Sequence, residues 1–261
     1  MSNHKALEKF GRSGNPALSD ATFSDAALNA GPNARDMPTM SLEGTVNKTG
    51  ILLFLVVLAA SWTWNLFFQN NDPAAVKPLM MVGGFGGFIF ALVTIFKKHW
   101  SGITAPIYAL LQGLFLGGIS AIYEAQFQGI VIQAIGLTLG TLSSLLFLYK
   151  TGIIKPTENF RLMIVSATMG IGLLYLVSIV MNMFGSSIGF IHSNGLFGIG
   201  FSLFVVAIAA LNLVLDFDFI EQGAEQGAPQ YMEWFGAFSL MVTLIWLYLE
   251  MLRLLAKLRS R

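Results

Sequence analysis

The chain has no cysteine, and only 11% of its 261 residues are charged. The first absence excludes disulfides, thiolate metal sites and a cysteine nucleophile. The second excludes an ordinary soluble domain, in which about a quarter of residues carry charge. Histidine is scarce as well: His4, His99 and His192 are scattered, without the spacing of a metal site. A net charge of +1 offers nucleic acid no electrostatic footing. The first residues lack the apolar core of a signal peptide. What the chain does have is apolar: 55% of its residues are hydrophobic and the mean hydropathy is +0.68. So much apolar surface belongs in a bilayer, and the chain reads as an all-α integral membrane protein.

Residues 1–47 read as a disordered cytoplasmic tail. Its basic and acidic side chains roughly balance, and Pro16, Pro32 and Pro38 break any long helix. Such a tail could also bind a partner. Residues 48–258 form the membrane domain. Seven apolar segments, near 50–69, 79–96, 103–123, 129–149, 161–183, 195–216 and 234–256, are each long enough to cross about 30 Å of hydrocarbon as a helix. The connections are short, which favours antiparallel neighbours in one seven-helix bundle.

Positive charge places the N-terminus inside. Lys48, Lys97, Lys98, Lys150, Lys155 and Arg161 then fall on the inner side with the basic residues of the tail, and Lys77 alone falls outside before the sixth span. Arg253, Lys257, Arg259 and Arg261 oppose this pattern if the last segment crosses fully. Seven full spans is the expectation, with a re-entrant last segment as the alternative. Gly83 with Gly87, Gly113 with Gly117, and Gly136 with Gly140 are spaced to let helices approach closely.

Gly185-Ser186-Ser187-Ile188-Gly189 spells a nucleophile elbow, with His192 nearby. Its place between two apolar helices lacks the strand–turn–helix such an elbow needs. No enzyme is expected. Trp62, Trp64, Trp100, Trp234 and Trp246 suit interfacial belts or packing.

The most informative polar feature is Asp216-Phe217-Asp218-Phe219-Ile220-Glu221, which follows 21 uncharged residues from Gly195 to Leu215. Carboxylates at the mouth of a span are costly to bury unless paired, hydrated or bound to a cation. Asp216 and Asp218 are two apart and cannot share a helix face, so Asp216 is expected to face the bundle. Such a pair can sense pH. It can also hold Ca²⁺ transiently, because that hard cation prefers carboxylate and carbonyl oxygens.

Several segments carry a family resemblance. Gly113-Leu114-Phe115-Leu116-Gly117-Gly118-Ile119-Ser120-Ala121-Ile122-Tyr123-Glu124 resembles the third-span signature of the Bax inhibitor-1 family, also called the transmembrane Bax inhibitor motif family. Tyr149-Lys150-Thr151-Gly152-Ile153-Ile154-Lys155-Pro156-Thr157, leading to Phe160-Arg161, resembles its fourth-to-fifth connection. Asp216 with Ile220 and Gly223 resembles its sixth-span Asp, and Leu252-Arg253-Leu254-Leu255 the end of its last helix. The long N-terminal tail resembles a bacterial branch, which implies an inner-membrane location.

The resemblance implies a seven-helix bundle with the last helix central. It also implies a pH-dependent calcium leak and a hydrogen-bonded pair of Asp residues on the last two helices. Asp216 matches the first of that pair. A gapless alignment anchored at Arg253 puts Thr243 at the second position, where no ionisation is possible. Glu233 and Glu250, the latter three residues before Arg253, remain as acids that could serve the gate instead. The expected function is therefore a pH-sensitive, calcium-permeable leak channel gated at Asp216 and Asp218, with lipid, protons and Ca²⁺ as partners and no cofactor. The alternative is a membrane-embedded regulator that binds a membrane protease or another partner through residues 1–47.

Overall fold

The computed structural model describes residues 38–70, 72–185 and 195–260. Seven long helices follow one another: α1 (Leu42–Asn70), α2 (Pro73–Phe96), α3 (Ser101–Gln126), α4 (Ile130–Lys150), α5 (Glu158–Met183), α6 (Leu196–Glu225) and α7 (Met232–Arg259). A single turn of 3₁₀ helix, Lys98–Trp100, leads into α3. All seven are long and apolar enough to cross a membrane, so the fold is an all-α seven-helix membrane bundle. The unbroken 28 residues of α7 reach about 42 Å at 1.5 Å per residue, so the re-entrant alternative gains no support. The last helix is also the most enclosed. Of its most apolar stretch 78% is buried, against 17% in α2 and α4.

The helices are longer than their apolar runs, for local reasons. Helix α1 begins at Leu42, inside the stretch read as tail, where the Ser41 hydroxyl accepts the Gly44 N–H at 3.0 Å. Residues 1–37 of that tail lie outside the described residues. Helix α2 begins at Pro73 rather than near 79. The Asp72 side chain caps it by accepting the Ala74 N–H at 2.8 Å, and Pro73 sits where a missing N–H costs nothing. Pro78 falls inside that helix and does not end it. Helix α6 runs on through the acidic cluster to Glu225, so these carboxylates lie within a helix rather than in a loop. The Gly-x-Ser-x-Gly stretch and His192 fall outside the described residues after Gly185.

The chain divides into two compact units. Among the described residues, an N-terminal unit takes in α1, α2, α3 and residues 220–242, and a C-terminal unit takes in α4, α5, the part of α6 up to Phe219 and the part of α7 from Thr243. In the N-terminal unit α3 lies directly on its neighbours through glycine. A Cβ at Gly113 would stand 2.5 Å from the Val56 carbonyl oxygen, and one at Gly83 would stand 2.5 Å from that of Leu111. At Gly117 and Gly87 a Cβ would likewise collide, with the Ala60 backbone and the Gln112 amide. Gly136 and Gly140 have the same spacing but no neighbour within 4 Å, so the expected close packing of that pair is not found. The C-terminal unit packs Ile164, Val165 and Ile171 of α5 against Val205, Ile208 and Leu215 of α6. Phe54, Val57, Phe85, Phe88, Ile132, Phe147, Leu173 and Val177 are exposed, as suits side chains that face lipid.

Candidate functional site

Arg161 of α5, Asp216 and Asp218 of α6, and Glu250, Arg253 and Lys257 of α7 lie inside the C-terminal unit. Asp216 is fully enclosed (0% exposed), although a carboxylate so placed costs several kcal/mol unless it is partnered. One partner is Thr243 of α7, whose hydroxyl donates to Asp216 Oδ2 at 2.5 Å. Thr243 is itself buried. The second position of the expected pair is thus filled by a side chain that can donate and accept but cannot ionise.

Asp218 turns the other way. Its Oδ2 accepts from Arg161 Nη2 at 2.6 Å, joining α6 to the first turn of α5. Both side chains are mostly buried, at 12% and 17% exposure. A charge-assisted bond of this kind is short and strong. From sequence, Arg161 reads as an orienting charge and as the end of the fourth-to-fifth connection, with no partner assigned. The two residues stand 57 positions apart, and nothing local signals the pairing. The Nε of Arg161 is buried and finds no acceptor among the described residues.

Glu250 is buried near the far end of α7, seven residues beyond Thr243 and so about 10 Å further along the helix. Arg253 Nη1 donates to both its oxygens, at 2.8 and 3.0 Å, and the Tyr175 hydroxyl donates to Oε1 at 3.0 Å. Arg253 also donates to the Tyr175 oxygen at 2.6 Å, closing a triangle between α5 and α7. Glu250 and Arg253 are thus paired with each other. One further turn on, the buried Lys257 donates to the Gly198 carbonyl at 3.0 Å and to the Ser202 hydroxyl at 2.8 Å. Asn212 of α6 donates to the Thr168 hydroxyl of α5 at 2.8 Å.

Glu233, the remaining acid considered for the gate, belongs to the N-terminal unit and is taken up there. Its Oε1 accepts the backbone N–H and the hydroxyl of Ser41, both at 2.9 Å, and its Oε2 pairs with Lys48. Gly44 leaves room for the carboxylate, because any Cβ there would overlap it. Just ahead, Met40 N–H donates to Ala228 O at 2.6 Å and Gln230 N–H to Pro38 O at 3.0 Å. The chain entering α1 is thereby tied to the loop before α7.

No cluster of three His, Cys, Asp or Glu side chains occurs among the described residues. Asp216 and Asp218 lie about 200° apart around α6 and reach different helices. A family model described as Bax inhibitor 1 like matches residues 15–260, nearly the whole chain. No curated protein and no solved structure matches it.

Proposed function

Taking as premise that the chain belongs to the Bax inhibitor 1 like family, we propose that it is a pH-sensitive, calcium-permeable leak channel of a bacterial-type inner membrane, with its N-terminus cytoplasmic. The observation that carries this reading is the fully enclosed Asp216 held by Thr243. When ionised, Asp216 accepts a charge-assisted hydrogen bond that ties α6 to α7; when it gains a proton, that bond weakens to a neutral one. The change alters the preference for the closed arrangement and lets the helices shift. Asp218 and Arg161 form a second tie, between α6 and α5. A calcium ion would meet the two carboxylates in succession, and weak binding at each is what conduction requires.

The pairing of an acid with a threonine has a consequence. Two carboxylates sharing a site titrate as a coupled pair, whereas one acid beside a hydroxyl titrates in a single step. The pH dependence of flux should therefore follow a one-proton curve.

The test is calcium influx into vesicles that hold an indicator, for the whole chain and for a chain lacking residues 1–37. Truncation at this point spares the Pro38–Ser41 attachment. A leak that changes with pH and survives truncation supports the channel. No flux at any pH from well-folded protein would favour a regulator that acts through its tail on a membrane protease or another partner.

A further inference from the structure

We propose that the N-terminal unit binds a phospholipid at the start of α1 and α7, and selects it by a phosphoethanolamine headgroup. The inference stands whether or not calcium passes. Its first support is a cavity of about 440 Å³ beside the two helix starts. Glu43, Asn47, Lys48 and Ile51 line it from α1, and Glu233 and Trp234 from α7. All six belong to the N-terminal unit. The volume suits a small polar group.

The second support is the charge of that lining. Lys48 pairs with Glu233 and lies over the Trp234 ring, 5.6 Å from its centroid. An ammonium has three N–H donors, so the pair leaves two for an anion. The neighbouring Asn47 amide adds its own donors. Glu233 is taken up by Ser41 and Lys48. Glu43 is exposed and makes no hydrogen bond or ion pair with the described residues. The three charges therefore sum to −1, with Glu43 the unmatched one. A lone anion would meet a negative cavity, and a lone cation would leave the Lys48 donors unused. A zwitterion answers both, with its anion on Lys48 and Asn47 and its cation on Glu43.

The third support is order along α1. Lys48 is the last charge before residues 49–70, all uncharged, which rise about 33 Å as a helix. That fills a hydrocarbon core of about 30 Å and puts Lys48 at the level of the headgroups. Beyond it Ile51, Phe54 and Leu58 continue the face of Asn47 at helical spacing, and all three are exposed. From the hydrocarbon outward, the helix thus offers an apolar stripe, a cation and an anion. A phospholipid with an ethanolamine head presents acyl chain, phosphate and ammonium in the same order. A free headgroup would make no use of the stripe, so the cavity is assigned to a lipid.

The ammonium is a primary one. A carboxylate accepts N–H donors, whereas a quaternary ammonium has none and is held by a cage of aromatic rings. Among the described lining residues Trp234 is the single ring, and Lys48 already lies over it. A phosphoglycerol head would set a hydroxyl, not a cation, against Glu43.

The test is native mass spectrometry of the full-length protein in detergent. Lipids with the same chains and ethanolamine, choline or glycerol headgroups are titrated in turn. The ethanolamine lipid should bind about fivefold more tightly than either of the others, as suits an exposed charge pair. Glu43→Gln should erase its advantage over the glycerol lipid, and Glu43→Lys should reverse it. Both changes are at an exposed position in the first turn of α1 and should leave thermal unfolding unchanged. Asn47→Leu, also exposed, should weaken binding of the ethanolamine lipid several-fold and covers the case in which a Glu43 variant fails to fold. Soluble glycerophosphoethanolamine should compete only at far higher concentration than the lipid. Equal binding of the three lipids by wild type overturns the proposal, as does an ethanolamine preference that persists in well-folded Glu43→Lys. Competition by the soluble compound at the lipid's own concentration overturns the lipid as the occupant.

Discussion

The two units bury different things. In the N-terminal unit the close contacts are made by small residues: α3 lies on the backbones of α1 and α2 through Gly83, Gly113 and Gly117. A buried hydroxyl pair, Thr94 with Thr104 at 2.8 Å, needs no charge. In the C-terminal unit the helices are joined by Asp216, Asp218, Glu250, Arg161, Arg253 and Lys257. Glycine contacts hold helices together by dispersion and respond to no signal. Ionisable contacts cost desolvation and change with protonation, voltage and ions. A protein that needed only to persist in the bilayer could have built both units from small residues. The proposed gate lies in the C-terminal unit, where that expense falls. Glu233 sharpens the contrast: the N-terminal unit also encloses an acid, but surrounds it with Ser41 and Lys48 at the start of α1, where it fastens the chain entering the membrane domain.

The comparison can be broken by substitution, and the largest effect belongs to the glycines. Gly117→Leu forces a side chain into the Ala60 backbone, and overpacking of this kind costs about 3 kcal/mol or more. Thermal unfolding in detergent should show a large drop or no folded protein. Gly136→Leu, with the same spacing motif but open space around it, should change stability by less than about 0.5 kcal/mol. Equal losses at both positions would refute the account of packing.

Charge comes next. Arg161→Met strands Asp218 in a mostly buried place and should destabilise by about 1–2 kcal/mol, allowing for the solvent that still reaches the pair. Adding Asp218→Asn should recover most of the loss in a double-mutant cycle. Thr243→Val removes a donor from buried Asp216 and should cost about 1 kcal/mol, read from the same unfolding curves. Deletion of residues 1–37, which leaves Met40 bonded to the loop before α7, should be the mildest, with unfolding unchanged within about 0.5 kcal/mol.

Much of this architecture was legible from sequence, because apolar runs in a membrane leave helix as nearly the only solution. Asp216 was legible because it directly follows 21 uncharged residues. Thr243 was legible only through the gapless alignment with the family's last helix. Glu250 with Arg253, three residues on, was legible as a helical pair; the long-range partners of the acids were not. Asp218 finds Arg161 at a separation of 57, Glu250 finds Tyr175 at 75 and Glu233 finds Lys48 at 185. Such partnerships depend on the register between helices, which no local pattern fixes. Gly136 and Gly140 teach the converse: spacing defines a face, but only the neighbouring helix decides whether that face is used. The starts of α1 and α2 were within reach, since Ser41 and Asp72-Pro73 are ordinary capping signals that outweigh the later start of the apolar run.

The most direct test sets the two buried acids side by side. Calcium influx into vesicles would be followed between about pH 6 and 8, the range open to an enclosed carboxylate, for wild type, Asp216→Asn and Glu233→Gln. The account predicts a one-proton pH profile in wild type, a flat profile in Asp216→Asn, and a wild-type profile in Glu233→Gln. A pH response that survives in Asp216→Asn and disappears in Glu233→Gln would contradict it, and would move the sensor from the C-terminal unit to the fastening at the start of α1.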